Sequence, residues 1–94
     1  MQDSKSKVNQ KIIVNETPIE NPNFDYKNLD TLENHWLKLK GKLVNGQKIG
    51  ICLIYLAKGE RIYCKFKNDK ANGKGIYFKK NGQKVIGYWK NNRF

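Results

Sequence analysis

The stretch Phe66-Lys67-Asn68-Asp69-Lys70-Ala71-Asn72-Gly73-Lys74-Gly75-Ile76-Tyr77-Phe78 decides how the rest of the chain is read. Ahead of it, Ile62, Cys64 and Phe66 alternate with Tyr63 and Lys65. After the Asn68-Asp69 pair a second alternating segment begins, in which Gly73, Gly75 and Tyr77 are separated by Lys74 and Ile76. A period of two is what a half-buried strand requires, so the unit reads strand, turn, strand.

Working outward in steps of 23 residues, the unit repeats. Leu39, Ile62 and Val85 superpose, as do Gly41, Cys64 and Gly87, then Leu43, Phe66 and Trp89, then Asn45, Asn68 and Asn91. Gly50 falls on Gly73, Cys52 on Gly75, Ile54 on Tyr77 and Gly59 on Gly82, with no gap. Self-similarity at such a period marks stacked supersecondary units, each unable to bury its own face alone. Asn45-Gly46 and Asn81-Gly82 are hairpin dipeptides, because type I′ turns need positive φ at both central residues. The predicted fold is mainly β: an antiparallel meander of stacked hairpins with about five strands, at 38–44, 49–56, 61–67, 74–80 and 84–90. The units are 39–61, 62–84 and a partial third, 85–94. Gly41, Leu43, Cys64, Phe66, Gly73, Gly75, Tyr77 and Gly82 are the expected packing positions, with Phe66, Tyr77 and Trp89 lying over glycines of adjacent strands.

The segment 66–78, followed by Asn81-Gly82 and then Gly87-Tyr88-Trp89-Lys90-Asn91, resembles a MORN (membrane occupation and recognition nexus) repeat. That pattern is an aromatic–x–Gly–x–Trp/Phe strand, a short polar turn, Gly–x–Gly–x–Tyr and a closing Asn/Asp-Gly. The resemblance covers about 39–94, with the middle unit best. Cys64 and Cys52 stand in glycine slots, Leu43 replaces an aromatic, and the leading tyrosine becomes Leu39, Ile62 and Val85. The resemblance implies a structural part of a cytoskeletal or ciliary assembly, or a phospholipid-contact module.

Composition excludes most chemistry. Ninety-four residues make one small domain, and a chain this short has a marginal core. The single histidine is His35, and the only serines, Ser4 and Ser6, lie in the N-terminal tail, so a Ser–His–Asp site has no scaffold. Two cysteines and one histidine do not complete a four-ligand zinc site. Glu60 and Asp69 fall in separate turns and offer no acid–base pair. Neither catalysis, a cofactor nor a small-molecule substrate is expected. The start carries no apolar leader, and the longest apolar run is far shorter than a membrane-spanning helix. A cytoplasmic, cytoskeletal setting with free thiols at Cys52 and Cys64 is the expectation, with the cilium or axoneme included.

The formal charge of +11 divides unevenly: residues 1–35 hold four lysines and six acids, and residues 36–94 fifteen basic residues and two acids. Residues 1–29 read as an extended or disordered arm, in which Ile12-Ile13-Val14 can add as a short strand to a partner or to the chain's own sheet. Residues 30–37 read as a short helix, capped by Asp30 with Glu33 three residues on and carrying Trp36 on its apolar face. The strand residues opposite the packing face are Lys38, Lys40, Lys42, Arg61, Tyr63, Lys65, Lys67, Lys84, Tyr88 and Lys90, a broad positive surface. The last strand leaves an unpaired rim, which natural proteins normally cover. Trp36, Lys84, Val85, Gly87, Tyr88, Trp89 and Phe94 are therefore the expected partner contacts. The leading expectation is a non-catalytic scaffold subunit that binds protein partners through this sheet edge and its arm. The alternatives are a peripheral binder of anionic phospholipid and, more weakly, non-specific RNA contact. Lysine outnumbers arginine 17 to 2, which disfavours sequence-specific nucleic-acid reading.

Overall fold

The computed structural model describes residues 11–94. Six strands run antiparallel in one open sheet, in chain order: β1 (Lys11–Val14), β2 (Trp36–Val44), β3 (Gln47–Leu56), β4 (Arg61–Lys67), β5 (Lys70–Phe78) and β6 (Lys84–Trp89). The meander expected over 38–94 is present, and the apolar cluster of the arm supplies a sixth strand. Ile12, Ile13 and Val14 add to the chain's own sheet, opposite Lys40, Leu39 and Lys38. The first ten residues of the expected arm lie outside the described residues. β6 ends at Trp89, so Lys90 belongs to the turn that follows.

The 23-residue step is visible in the backbone itself. Asn45, Asn68 and Asn91 have φ of 53°, 51° and 51°, and the residues that follow, Gly46, Asp69 and Asn92, have 79°, 68° and 71°. Two consecutive left-handed residues are the type I′ requirement, so Asp69 and Asn92 adopt the conformation that glycine adopts at 46. The Asn81-Gly82 pair closes a longer loop in which only Gly82 is left-handed, at 95°. Lys79 N–H donates to Gln83 O across that loop (2.7 Å). A Cβ at Gly82 would meet nothing, so this glycine serves the turn and not the packing. On β3 and β5 the register slips past residues 50–52 and 72–74, and the glycines at these bulges, Gly50 and Gly73, have φ of 75° and 135°.

The turns at 68–69 and 91–92 also reach back to the preceding hairpin. Asp69 N–H donates to Lys48 O (3.1 Å) while Lys48 N–H donates to Asp69 Oδ1 (3.0 Å). One repeat later, Asn92 N–H donates to Ala71 O (3.0 Å) and Ala71 N–H to Asn92 Oδ1 (2.7 Å). Burial works to raise the Asp69 carboxyl, but hydrogen bonds and charge from Lys48, whose Nζ lies 2.8 Å away, leave it below the usual carboxylate range.

One face of the sheet is dry. Leu39, Cys52, Ile54, Leu56, Ile62, Cys64, Phe66, Ala71, Tyr77 and Trp89 are buried there. Their cover is the chain's own residues 15–35 together with residues 90–94. The Tyr26 ring stacks on Tyr77 at 4.3 Å, and Trp89 Nε1 donates to Tyr26 O (2.9 Å). Phe94 meets both Tyr26 and Trp89 edge-on, and its N–H donates to Lys27 O (2.9 Å). Leu29 N–H donates to Asn92 O (2.7 Å), and Asn92 Nδ2 to Asp30 Oδ1 (3.0 Å). The Asn92 bond, first among several, holds the Asp30 carboxyl below its ordinary value.

One expectation is corrected here. The helix at 30–37 is a single 3-10 turn, Leu29–Thr31, capped by the Asn28 side chain, which accepts from Asp30 N–H. Glu33 has a φ of 26°, outside any right-handed helix, and Trp36 already opens β2. A helix that short does not persist by itself. What fixes this segment is burial of Leu29 and Leu32 against the sheet. Of the arm, read as extended or disordered, residues 11–14 are extended in β1 and the irregular chain that follows lies over the buried face.

Gly75 carries the tightest of these contacts to a strand backbone. A Cβ there would lie 2.6 Å from Tyr63 O, 2.8 Å from Trp89 Cζ3 and 2.9 Å from Cys64 Cβ. Gly75→Ala is expected to lower unfolding free energy by about 1–3 kcal/mol through overpacking, read as a fall in urea midpoint with an unchanged slope. Asp30 and Asp69 are depressed in the folded state, so the unfolded chain binds more protons in acid. Their stabilisation is complete above about pH 4, the unfolded value, and is lost as pH falls through the folded values. Urea midpoints measured from about pH 6 down to about pH 2 should fall, and Asp69→Asn should flatten part of that slope.

Candidate binding surface

Alternation places a second set of side chains on the face that no described residue covers. Successive residues of a strand point to opposite sides, so with Leu39, Ile62 and Val85 on the covered face their neighbours face out. The cross-strand register arranges them in rows. One row runs Val14, Lys38, Tyr55, Arg61, Phe78, Lys84. The next runs Ile12, Lys40, Leu53, Tyr63, Ile76, Ile86. Beyond it Ile51 opposes Lys65, and Lys74 opposes Tyr88, with Lys42 and Lys67 further along.

The middle row is apolar except for Lys40, and the rows beside it are basic. At about 4.8 Å between strands the middle row is about 24 Å long. Ile12, Ile51, Tyr63, Ile86 and Tyr88 are exposed, while Leu53, Tyr55, Ile76 and Phe78 are half-buried by their neighbours. Eight cations share the face: Lys38, Lys40, Lys42, Arg61, Lys65, Lys67, Lys74 and Lys84. Two sit over aromatic rings, Lys38 at 4.7 Å from the Tyr55 centroid and Arg61 at 4.6 Å from that of Phe78. None of the eight pairs with a carboxylate of the described residues, whose ion pairs are Lys48–Asp69, Lys58–Glu20 and Arg93–Asp30. The described acids lie in the cover (Glu16, Glu20, Asp25, Asp30, Glu33) or in turns, where Glu60 binds Tyr77 and Asp69 binds Lys48.

The structure therefore brings together the basic-face residues read from sequence, apart from Lys90, which stands in the turn after β6. It adds Lys74 and the apolar members Ile51, Leu53, Ile76 and Ile86. These last residues belong to the same period-two alternation; their signal was present but pointed away from the face taken as the core. The expected partner contacts separate. Lys84, Tyr88 and Phe94 are exposed, Trp36 and Val85 are half-buried, and Trp89 is 1% exposed beneath Tyr26 and Phe94. Trp89 is therefore not a docking side chain. Gly87 lies under the Phe94 ring, a closer approach than any Cβ tolerates. Of the aromatics expected over glycines, Trp89 covers Gly75, whereas Tyr77 stacks on Tyr26 and Phe66 lies beneath Lys48.

On the covered side, His35 is a structural pin. Its Nδ1 accepts from Asn21 N–H (2.9 Å), its ring stacks on Phe24, and its carbonyl accepts from Ala57 N–H (3.2 Å). Cys52 and Cys64 face each other across β3 and β4 as free thiols, and burial pushes both up, Cys64 to about 11. Such thiols are poor nucleophiles and pack as small apolar groups. Tyr77 is also pushed up, by burial and then by its hydrogen bond to Glu60. Among the described residues no three His, Cys, Asp or Glu side chains gather into a metal-binding group, and no helix is long and apolar enough to cross a membrane.

No family model matches the chain, and no curated protein matches it.

Because the open face contributes little to the core, Ile51→Thr and Tyr88→Thr should each change unfolding free energy by no more than about 0.5 kcal/mol. Trp89→Ala should cost about 3–5 kcal/mol in the same urea titration. A cost above 2 kcal/mol at Ile51 or Tyr88 would mean that the face is structural.

Proposed function

We propose that the chain is a non-catalytic structural subunit of a larger protein assembly, held in place by an acidic partner on its open sheet face. One observation carries this reading: eight cations border an apolar row with no acid among the described residues of that face. A contiguous apolar patch rimmed by charge is the usual mark of an interaction surface. The single sign of the charge argues for an anionic partner and against a second copy of the same face. The 23-residue repeat supports stacking as the means by which the sheet joins its neighbours. The MORN-like pattern supports a cytoskeletal or ciliary setting for that assembly. The arm and the C-terminal aromatics engage the chain's own core, so the reading rests on the face and not on them.

A second reading has its own support. Lysine stems beside half-exposed isoleucine and tyrosine suit an anionic phospholipid surface, where ammonium groups reach headgroups while apolar neighbours dip below them.

Crosslinking mass spectrometry of the native assembly separates the two. Links from Lys40, Lys65 and Lys74 should converge on acidic stretches of one neighbouring protein. The Lys40→Glu/Lys65→Glu variant should lose that association by about tenfold or more. Exclusively intramolecular links from these lysines would sink the scaffold reading. Co-sedimentation at physiological salt with phosphatidylserine-containing vesicles, but not with phosphatidylcholine alone, would put the lipid reading in its place.

A further inference from the structure

The two edges of the sheet are built alike. Asn15 N–H donates to Leu37 O (2.8 Å), which fixes 15 and 37 as a hydrogen-bonded pair between β1 and β2. Such pairs recur at every second residue, so Lys11 and Ile13 face β2 while Ile12 and Val14 turn their N–H and C=O groups to the outer edge. On the far side Lys79 N–H donates to Gln83 O (2.7 Å), so Val85, Gly87 and Trp89 face β5. Lys84, Ile86 and Tyr88 then carry the outward groups. Beyond Trp89 the chain folds back through the Lys90–Arg93 bridge onto the covered face, and it does not close this edge.

The same outward residues hold the most exposed apolar side chains of the sheet. Ile12 is 62% exposed, Val14 61%, Ile86 59% and Tyr88 69%, whereas no other large apolar strand residue exceeds 49%. Apolar edge strands with free backbone groups pair with other strands unless something prevents it.

We propose that β6 of one molecule pairs with β1 of a second copy of this chain, continuing the sheet from head to tail. Strand parity permits it: in a six-stranded antiparallel meander β1 and β6 run in opposite directions. A second copy set beside β6 in the same orientation therefore offers an antiparallel strand. Outward residues of both edges carry their side chains on the open face, so the two covered faces stay on the same side. One register opposes Ile86 to Val14 of the second copy, and Tyr88 to its Ile12, covering all four exposed side chains together. The contact is heterologous, so it leaves a free β1 and a free β6 at the ends and grows in steps instead of stopping at two. Copies that each carry +11 repel, and salt therefore strengthens the association.

Sedimentation velocity of the full chain over a hundredfold range of concentration tests this. The average mass should rise with concentration, and more steeply at higher salt. A wild-type chain that stays monomeric throughout overturns the proposal, whatever any variant does. Ile12→Lys/Val14→Lys blocks one edge and Ile86→Lys/Tyr88→Lys the other, both at exposed positions outside the core. Each variant alone should be monomeric with an unchanged circular dichroism spectrum. An equimolar mixture should form a one-to-one dimer and nothing larger, because one good β6 and one good β1 remain. Dimerisation of the β1-blocked variant alone would instead mean symmetric β6–β6 pairing and overturn the head-to-tail arrangement.

Discussion

Pairs of left-handed residues, spaced 23 apart, hold the sheet together. At Asn68-Asp69 and Asn91-Asn92 the second residue is neither glycine nor free of steric cost, which for an L-residue is about 1–2 kcal/mol. That cost is offset on the spot. The strained turn swings a carboxylate or amide back onto the second strand of the preceding hairpin, exchanging a reciprocal pair of hydrogen bonds with Lys48 in one case and Ala71 in the other. Each hairpin is thus fastened to its predecessor at its tip as well as along its ladder. The position of every packing residue, including Trp89 over Gly75, follows from that repeated spacing.

A single sheet buries only one of its faces by itself, and a chain of this size has little material for a second layer. Here the second layer is made of irregular chain. Residues 15–35 contribute Phe24, Tyr26, Leu29, Leu32 and His35, and residues 90–94 contribute Asn92 and Phe94. Acidic groups concentrate in this layer, while eight cations project from the opposite side of the sheet. The molecule is consequently polarised across its thickness, and what separated as an acidic-leaning half and a basic half in sequence is separated in space.

Strands and their faces were legible because both rest on local rules: alternation at 39/41/43, 62/64/66 and 85/87/89, and turn residues at 45–46. The strand formed by Ile12-Ile13-Val14 was legible only as a pair of options, since its partner lies more than twenty residues away. Three features left no local trace. Tyr26 on Tyr77 and Phe94 over Gly87 are contacts between distant segments with no shared periodicity. The cover's single 3-10 turn looked like a longer helix because Asp30 and Glu33 have capping-box spacing, whereas Asn28 supplies the cap. Trp89 read as a partner contact for the same reason: nothing near it in sequence announces that Tyr26 closes over it.

The bond from Trp89 Nε1 to the Tyr26 carbonyl spans 63 residues of chain, and the Asn92–Asp30 bond spans 62. Joining segments so far apart carries a loop-closure cost that is recovered only once both ends are structured. The aromatic lid therefore closes after the hairpins. As the polypeptide is synthesised, Tyr26 and Asp30 emerge early and have no partners to settle on until β5, β6 and the residues after them have been made. Through that interval the row Leu39, Ile54 and Ile62 is wet, and the nascent chain is then at its most exposed to wrong association.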